Sequence, residues 1–117
     1  MTDIRRSLGD AGEAVAAGIL ERSGLCVVAR NARTRYGEID LVCRDGRGYV
    51  FVEVKTRRVG SFVAPAEALD RRKAARLTRL AQSWLAAKGR RAASFRVVLA
   101  AVTVSEAGPT VAFIDVD

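Results

Sequence analysis

The stretch from Gly37 to Arg58 constrains this chain more than any other. Two runs of alternating apolar and polar residues flank Asp45-Gly46-Arg47-Gly48, the pattern of a β-hairpin. Side chains on a strand repeat with period two. Glu38 and Asp40 therefore share one face of the first strand, with Ile39, Leu41 and Cys43 opposing them. Glu53 and Lys55 share one face of the second, opposed by Val50, Val52 and Val54. If Gly46-Arg47 forms a two-residue turn with glycine first, Asp40 lies opposite Glu53 and Glu38 opposite Lys55. A turn on Asp45-Gly46 moves the partners by two residues and leaves the faces unchanged. In both registers three carboxylates and one ammonium crowd a small patch. Two carboxylates about 5 Å apart at an effective dielectric of about 20 repel by roughly 3 kcal/mol, whereas a favourable cross-strand pair contributes about 0.2 to 1 kcal/mol. A divalent cation between Asp40 and Glu53 would resolve the conflict.

The rest of the composition limits the chemistry. With 117 residues, half of them hydrophobic and 28% charged, residues 1–117 make one domain with a single core. No apolar run approaches the 18 or so residues of a membrane span. Asp3, Asp10 and Glu13 interrupt anything resembling a secretory leader, so the expected location is the cytoplasm. Cys26 and Cys43 form no C-x-x-C pair and read as buried free thiols. The chain has no histidine, which removes histidine bases, Ser-His triads and most zinc sites. Any metal must then be held mainly by oxygen, which selects Mg2+ or Mn2+. The net charge of +7, carried by 17 arginines and 3 lysines, points to a polyanionic partner, nucleic acid first.

Ser7 is placed to cap a helix running to about Ser23, with Gly24 as its stop. Leu8, Ala11, Val15 and Ile19 form the expected buried stripe, with Glu13 well off it and without a basic partner three or four residues away. Leu25 to Asn31 reads as a strand, and Ala32 to Tyr36 leads into the hairpin. Arg30, Arg33 and Arg35 beside it are candidate phosphate contacts. Thr56 to Pro65, with Arg57 and Arg58, reads as a basic loop long enough to move over a substrate. Asp70 then caps a helix to about Lys88, ahead of Gly89. Leu77, Leu80, Ala81, Trp84 and Leu85 are its apolar face, Trp84 as core, and Arg72, Arg76 and Arg79 line the other side. Arg71, Arg72 and Lys73 oppose the macrodipole in the first turn, a conflict that a bound phosphate would relieve. Phe95 to Val104 and Thr110 to Val116 are two further strands turned by Gly108-Pro109. The order indicates an α/β domain, a mixed sheet of about five strands with helices packed on it.

An acid, a hairpin, then Glu-x-Lys in the following strand resembles the PD-(D/E)XK, or restriction-endonuclease-like, nucleases. Here the residues are Asp40 and Glu53-Val54-Lys55. Their surroundings are Gly12-Glu13, Asn31-x-Arg33, Gly37-Glu38-Ile39-Asp40-Leu41-Val42, Phe51-Val52-Glu53-Val54-Lys55-Thr56-Arg57, and Glu67-Ala68 followed by Lys73. Over nearly the whole chain these resemble the bacterial YraN-like family of predicted endonucleases, and the layout is similar to that of archaeal Holliday-junction resolvases. The resemblance implies a restriction-endonuclease-like fold in which Asp40, Glu53 and the main-chain carbonyl of Val54 hold Mg2+ or Mn2+. It also implies that Lys55 orients or activates the attacking water and stabilises the transition state, and that Glu13 is the helix glutamate that reaches the same site. Glu38 is a supporting residue, acting through water or by holding Lys55. The strand after the long helix departs from the family's common Phe-Asp-Val-Val, reading Phe95-Arg96-Val97-Val98.

The expected activity is therefore metal-dependent hydrolysis of DNA, branched or structured DNA included, with Arg33, Arg35, Arg57, Arg58, Arg72, Lys73 and Arg76 on the phosphate backbone. A homodimer, as in the resolvases, is compatible with it. Two other readings use the same residues. In one, the fold binds nucleic acid without turnover. In the other, Glu38 and Lys55 form a structural ion pair on a protein-interaction scaffold.

Overall fold

The structure, a computed structural model, describes residues 4–46, 48–60 and 71–116. Strands β2 (Gly37–Asp45) and β3 (Gly48–Arg58) pair antiparallel with Asp45 opposite Gly48 and Leu41 opposite Val52. This is the register set by a two-residue turn after Asp45. Gly46 has φ +56°, a value that glycine adopts at no steric cost. Upstream lie α1 (Ile4–Arg22) and β1 (Cys26–Thr34), and downstream α2 (Arg71–Ala87), β4 (Phe95–Ser105) and β5 (Gly108–Val116). The sheet order is β1-β2-β3-β4-β5. All pairs are antiparallel except β3 with β4, where the parallel return requires a crossover, here the segment carrying α2. The result is the mixed α/β architecture of five strands flanked by helices.

The two helices cover opposite faces. On one, Leu77, Leu80, Ala81, Trp84 and Leu85 of α2 pack on Ile39, Val42, Tyr49, Phe51 and Val97. Trp84 meets Tyr49 and Phe51 edge-on, at 5.7 and 5.8 Å between ring centroids, so it is core as expected. On the other face, Ala16, Ala17 and Leu20 of α1 pack on Leu41, Cys43, Val50, Val52, Val98 and Ala100. Both helices end alike. Leu25 N–H reaches the Leu20 carbonyl and Gly24 N–H that of Glu21, and Arg90 and Gly89 do the same on Leu85 and Ala86. These are Schellman closures on glycines with φ +99° and +70°.

Several boundaries differ from the sequence expectation. Helix α1 begins at Ile4, before Ser7, because Ile4, Arg5 and Arg6 all tolerate helix and none forces a break. Its buried stripe is not Leu8, Ala11, Val15 and Ile19 but Gly12, Ala16, Ala17 and Leu20, turned by about 100°, one residue. The smallest residues come closest to the sheet, so close approach rather than side-chain size selects the face. Thr56, Arg57 and Arg58 are not loop but strand, because β4 pairs with β3 as far as Arg58 opposite Val104. The turn before β5 is Glu106-Ala107, closed by Ser105 opposite Gly108. Pro109 is then the second residue of an edge strand, where a missing N–H is tolerated. Cys26, expected buried, is exposed, and Cys43 is buried, since β1 is the other edge of the sheet. Asp70 as a cap, Glu67-Ala68 and the stretch to Pro65 lie outside the described residues.

Gly12 shows how tightly α1 sits. A Cβ there would overlap Thr56 Oγ1 and lie 3.0 Å from Thr56 Cβ, and a β-branched residue on a strand has few rotamers with which to yield. Gly12→Ala is therefore expected to cost about 1 to 3 kcal/mol in urea denaturation. Adding Thr56→Ala should restore most of the loss, and a loss independent of residue 56 would place the conflict elsewhere.

Candidate functional site

The β2–β3 ladder is regular from the turn to Leu41 opposite Val52, the last pair that it contains. The next residue is Asp40. On its other side, the β1–β2 ladder pairs Arg30 with Leu41 and Ala32 with Ile39 but omits Asn31 and Asp40. Asn31 is left-handed, with φ +49°, a conformation that asparagine tolerates better than most residues. Ala29 and Ala32 consequently pack on the same side although three residues apart, and so do Ile39 and Val42. The strict alternation expected for Ile39, Leu41 and Cys43 fails here: Ile39 packs toward α2, whereas Leu41 and Cys43 pack toward α1. At this step the Asp40 carboxylate takes over from the main chain. Val54 N–H donates to Asp40 Oδ2 at 2.7 Å, so the acid crosses to β3 where the backbone ladder has ended.

The separation leaves a cavity of about 660 Å³ lined by Gly9, Asp10 and Glu13 of α1, Asn31 and Arg33 of β1, Glu38 and Asp40 of β2, and Glu53, Val54 and Lys55 of β3. Glu13, Glu38, Asp40, Glu53 and Lys55, distant in sequence, thus share one space. Glu53 is 13% exposed, and its Oε1 lies 3.9 Å from Lys55 Nζ. Its Oε2 is buried without a hydrogen-bond partner among the described residues. Glu38 does not pair with Lys55 as the hairpin register suggested. It bonds to Arg33, 3.3 Å away, its partner across the β1–β2 ladder, because β2 and β3 no longer pair at that level. That removes the proposed structural Glu38–Lys55 ion pair.

Glu13 reaches the cavity because the stripe of α1 is rotated. The sequence placed it off the packed face, whereas it adjoins Gly12 and lies between Gly9 and Ala16 on the side toward the sheet. Burial, then the Asp40 charge, then a hydrogen bond to Asp40, then Asp10 and Glu38, push its carboxyl from an ordinary 4.5 up to about 7. The site thus holds a carboxylate whose proton is retained near neutrality.

Of the expected phosphate contacts, only Arg33 lines this cavity. Arg35 lies over the Tyr36 ring at 5.4 Å, in the turn that joins β1 to β2. Arg76 Nη2 comes within 3.4 Å of where a Cβ on Gly37 would stand, so α2 runs beside the β1–β2 hairpin. Arg57 and Arg58 follow Lys55 at the far end of β3, and Arg72 and Lys73 lie in the first turn of α2, outside the set of residues that lines the cavity. Arg96 sits opposite Val50, away from the site, and bridges Asp45 at 3.8 Å and Asp115 at 3.5 Å, so the departure there is a surface link among strands. Asp10 and Asn31 were not singled out from sequence as site residues. The second stood only within the quoted Asn31-x-Arg33 motif.

The Glu13 shift has a sign that can be checked. Its folded value lies above its unfolded one, so its contribution to stability is complete below about pH 4.5 and is lost as pH rises through about 7. In the presence of chelator, the melting temperature should fall more between about pH 5 and 8 than that of Glu13→Gln, which stays neutral. Parallel curves for the two proteins would assign the fall to another group.

A model of the family described as uncharacterised protein family UPF0102 matches residues 12–102. A UPF0102 protein of Beutenbergia cavernae is 50% identical over 102 residues, which is 87% of this chain and 86% of that one. One from Moorella thermoacetica is 44% identical over 102 residues, 87% and 85% of the two chains. One from Streptomyces griseus is 52% identical over 81 residues, 69% and 68%. Among solved structures, Pyrococcus furiosus SfsA in complex with Ca2+ is similar with a TM-score of 0.44 and 16% identity, over 94% of this chain and 62% of that one; a likeness this weak bears on neither site nor function. The family match runs from Gly12 through the carboxylate cavity and α2 into β4, and the chain belongs to UPF0102, the YraN-like family whose motifs it carries.

Proposed function

We propose that this chain is a metal-dependent nuclease of the PD-(D/E)XK type that hydrolyses phosphodiester bonds of DNA, with branched or structured DNA as the preferred substrate. The observation that carries the reading is the end of the β2–β3 ladder at Asp40, which gathers Asp40, Glu53, Lys55 and Glu13 around one cavity. A purely structural site would pair its acids. Here Glu53 keeps one buried oxygen without a partner among the described residues, a state that costs about 1 to 3 kcal/mol or more for a charged group.

That donor set fits a hard cation. Among the described residues no three His, Cys, Asp or Glu side chains converge as a metal cage. The ligands would be Asp40, Glu53 and the main-chain carbonyl of Val54, with water completing the shell as is usual for magnesium. When bound, Mg2+ or Mn2+ would neutralise phosphoryl charge and acidify the attacking water. The chain's own groups supply the rest. Lys55, exposed on one side and tethered to Glu53 on the other, orients the water and opposes the charge that develops on the phosphoryl oxygens. Glu13 holds Asp40 from the helix side, and Glu38 holds Arg33 at the rim. Arg33, Arg35, Arg57, Arg58, Arg72, Lys73 and Arg76 are the proposed contacts to the polyanion.

Purified protein with Mg2+ or Mn2+ is expected to cut branched DNA, and chelator should stop it. Asp40→Ala, Glu53→Ala and Lys55→Met should each lower the rate by about 10²-fold or more while circular dichroism stays native. Unchanged cutting in the two carboxylate variants would defeat the assignment. The absence of a three-side-chain metal cage among the described residues favours one second reading, a DNA-binding module without turnover. That reading gives salt-sensitive binding with no cleavage and no response to chelator.

A further inference from the structure

We infer that the tip of the β1–β2 hairpin, Arg35-Tyr36, with Arg79 of α2, is a docking point for an unpaired base in DNA, so that the favoured DNA carries a single-stranded nucleotide beside its duplex. The inference rests on the nucleic-acid reading above but not on turnover. Tyr36 is 52% exposed at a tip that is otherwise tied down. Thr34 Oγ1 donates to the Gly37 carbonyl at 2.8 Å and accepts from Tyr36 N–H at 3.1 Å, so the ring stands on a fixed turn.

Two guanidinium groups lie over or beside this one ring, Arg35 at 5.4 Å from one chain segment and Arg79 at 5.9 Å from another. As a stabilising device alone this is poor. An exposed cation–π contact contributes about 0.5 to 1 kcal/mol, and the second cation repels the first. Among the described residues neither arginine has a carboxylate partner, in contrast to Arg30, Arg33 and Arg96, each of which does. A flat aromatic surface set between uncompensated guanidinium groups matches one chemistry well. The ring takes a base face and the flanking cations take the adjoining phosphates. A duplex offers no free base face, so an unpaired nucleotide is the occupant that uses both halves.

The position supports a substrate consequence. Tyr36 and Asp40 lie four residues apart, the latter on β2, about 13 Å along the chain. Between them, Arg33 and Glu38 close the rim of the carboxylate cavity. Tyr36 stands with Arg79 of α2 and the carboxylate cavity lies toward α1, so a strand that engages both passes over the tip of the β1–β2 hairpin, where a continuous duplex offers no free base face.

The test is equilibrium binding in chelator at one fixed salt concentration, comparing a labelled blunt duplex with the same duplex carrying an unpaired tail. Wild type is expected to favour the tailed DNA by about tenfold. Tyr36→Ala should bring the ratio close to one, and Tyr36→Phe should keep it. If wild type shows no preference, or Tyr36→Ala retains it, the tip inference is overturned and DNA binding stands. If neither DNA is bound, the nucleic-acid reading fails, and this inference with it.

Discussion

The hydrogen bond from Val54 N–H to the Asp40 carboxylate is the interaction on which the site depends. Up to Leu41 and Val52 the two central strands satisfy each other through their backbones. Past that point a continuous ladder would seal β2 against β3 and leave no cavity. An unpaired strand edge would instead leave a half-buried amide without an acceptor, which costs about as much as a lost hydrogen bond. Asp40 satisfies the amide with a side chain, and so permits the strands to part without that loss. The same carboxylate then stands between Glu13 and β3, in a position set by the fold and not by a loop.

A second constraint acts from the helix. Glu13 faces the site only because α1 lies close enough to β3 for Gly12 to be a necessity, with Ala16 and Ala17 following on the same side. Larger residues along this face would lift the helix and carry Glu13 away from Asp40. The raised Glu13 carboxyl is the electrostatic trace of that closeness. Burial and a neighbouring acid both disfavour its charge, and no basic group offsets them enough to restore an ordinary value.

Much of this was legible in the residues. Alternation through Gly37 to Arg58 gave the hairpin and narrowed its register to two, of which the glycine-first one is found, and the glycines after each helix gave their ends, because those features are local. The acids and Lys55 stood out because their crowding violates a local rule without a local remedy. What could not be read were the consequences of tertiary contact. Period-two counting put Ile39 with Leu41, and only the left-handed Asn31 on a neighbouring strand explains why they separate. Hydrophobic size put Leu8 and Val15 in the α1 stripe, whereas close packing chose Gly12 and Ala16. Glu38 was assigned to Lys55 by extending the hairpin past the point where it opens, and Arg33 proved to be its neighbour across β1.

Two of these misreadings have a common origin, and it bears on why the site lies where it does. The two sheet misreadings, Ile39 with Leu41 and Glu38 with Lys55, assume that the regular pattern of a strand continues, and both fail at the level of Asp40. Asn31, Asp40 and the end of the Val52 pairing lie side by side across three strands, so the irregularity belongs to the sheet rather than to one strand. Interruptions of this kind re-aim side chains and are concentrated beside functional sites. Five acids line a single cavity, and one of their carboxylate oxygens has no hydrogen-bond partner among the described residues, although the neighbouring sheet could have avoided this by continuing its ladder by two residues. Stability alone gives no reason for it to stop. Under the proposed nuclease reading, a cation and a phosphate that use the opening would.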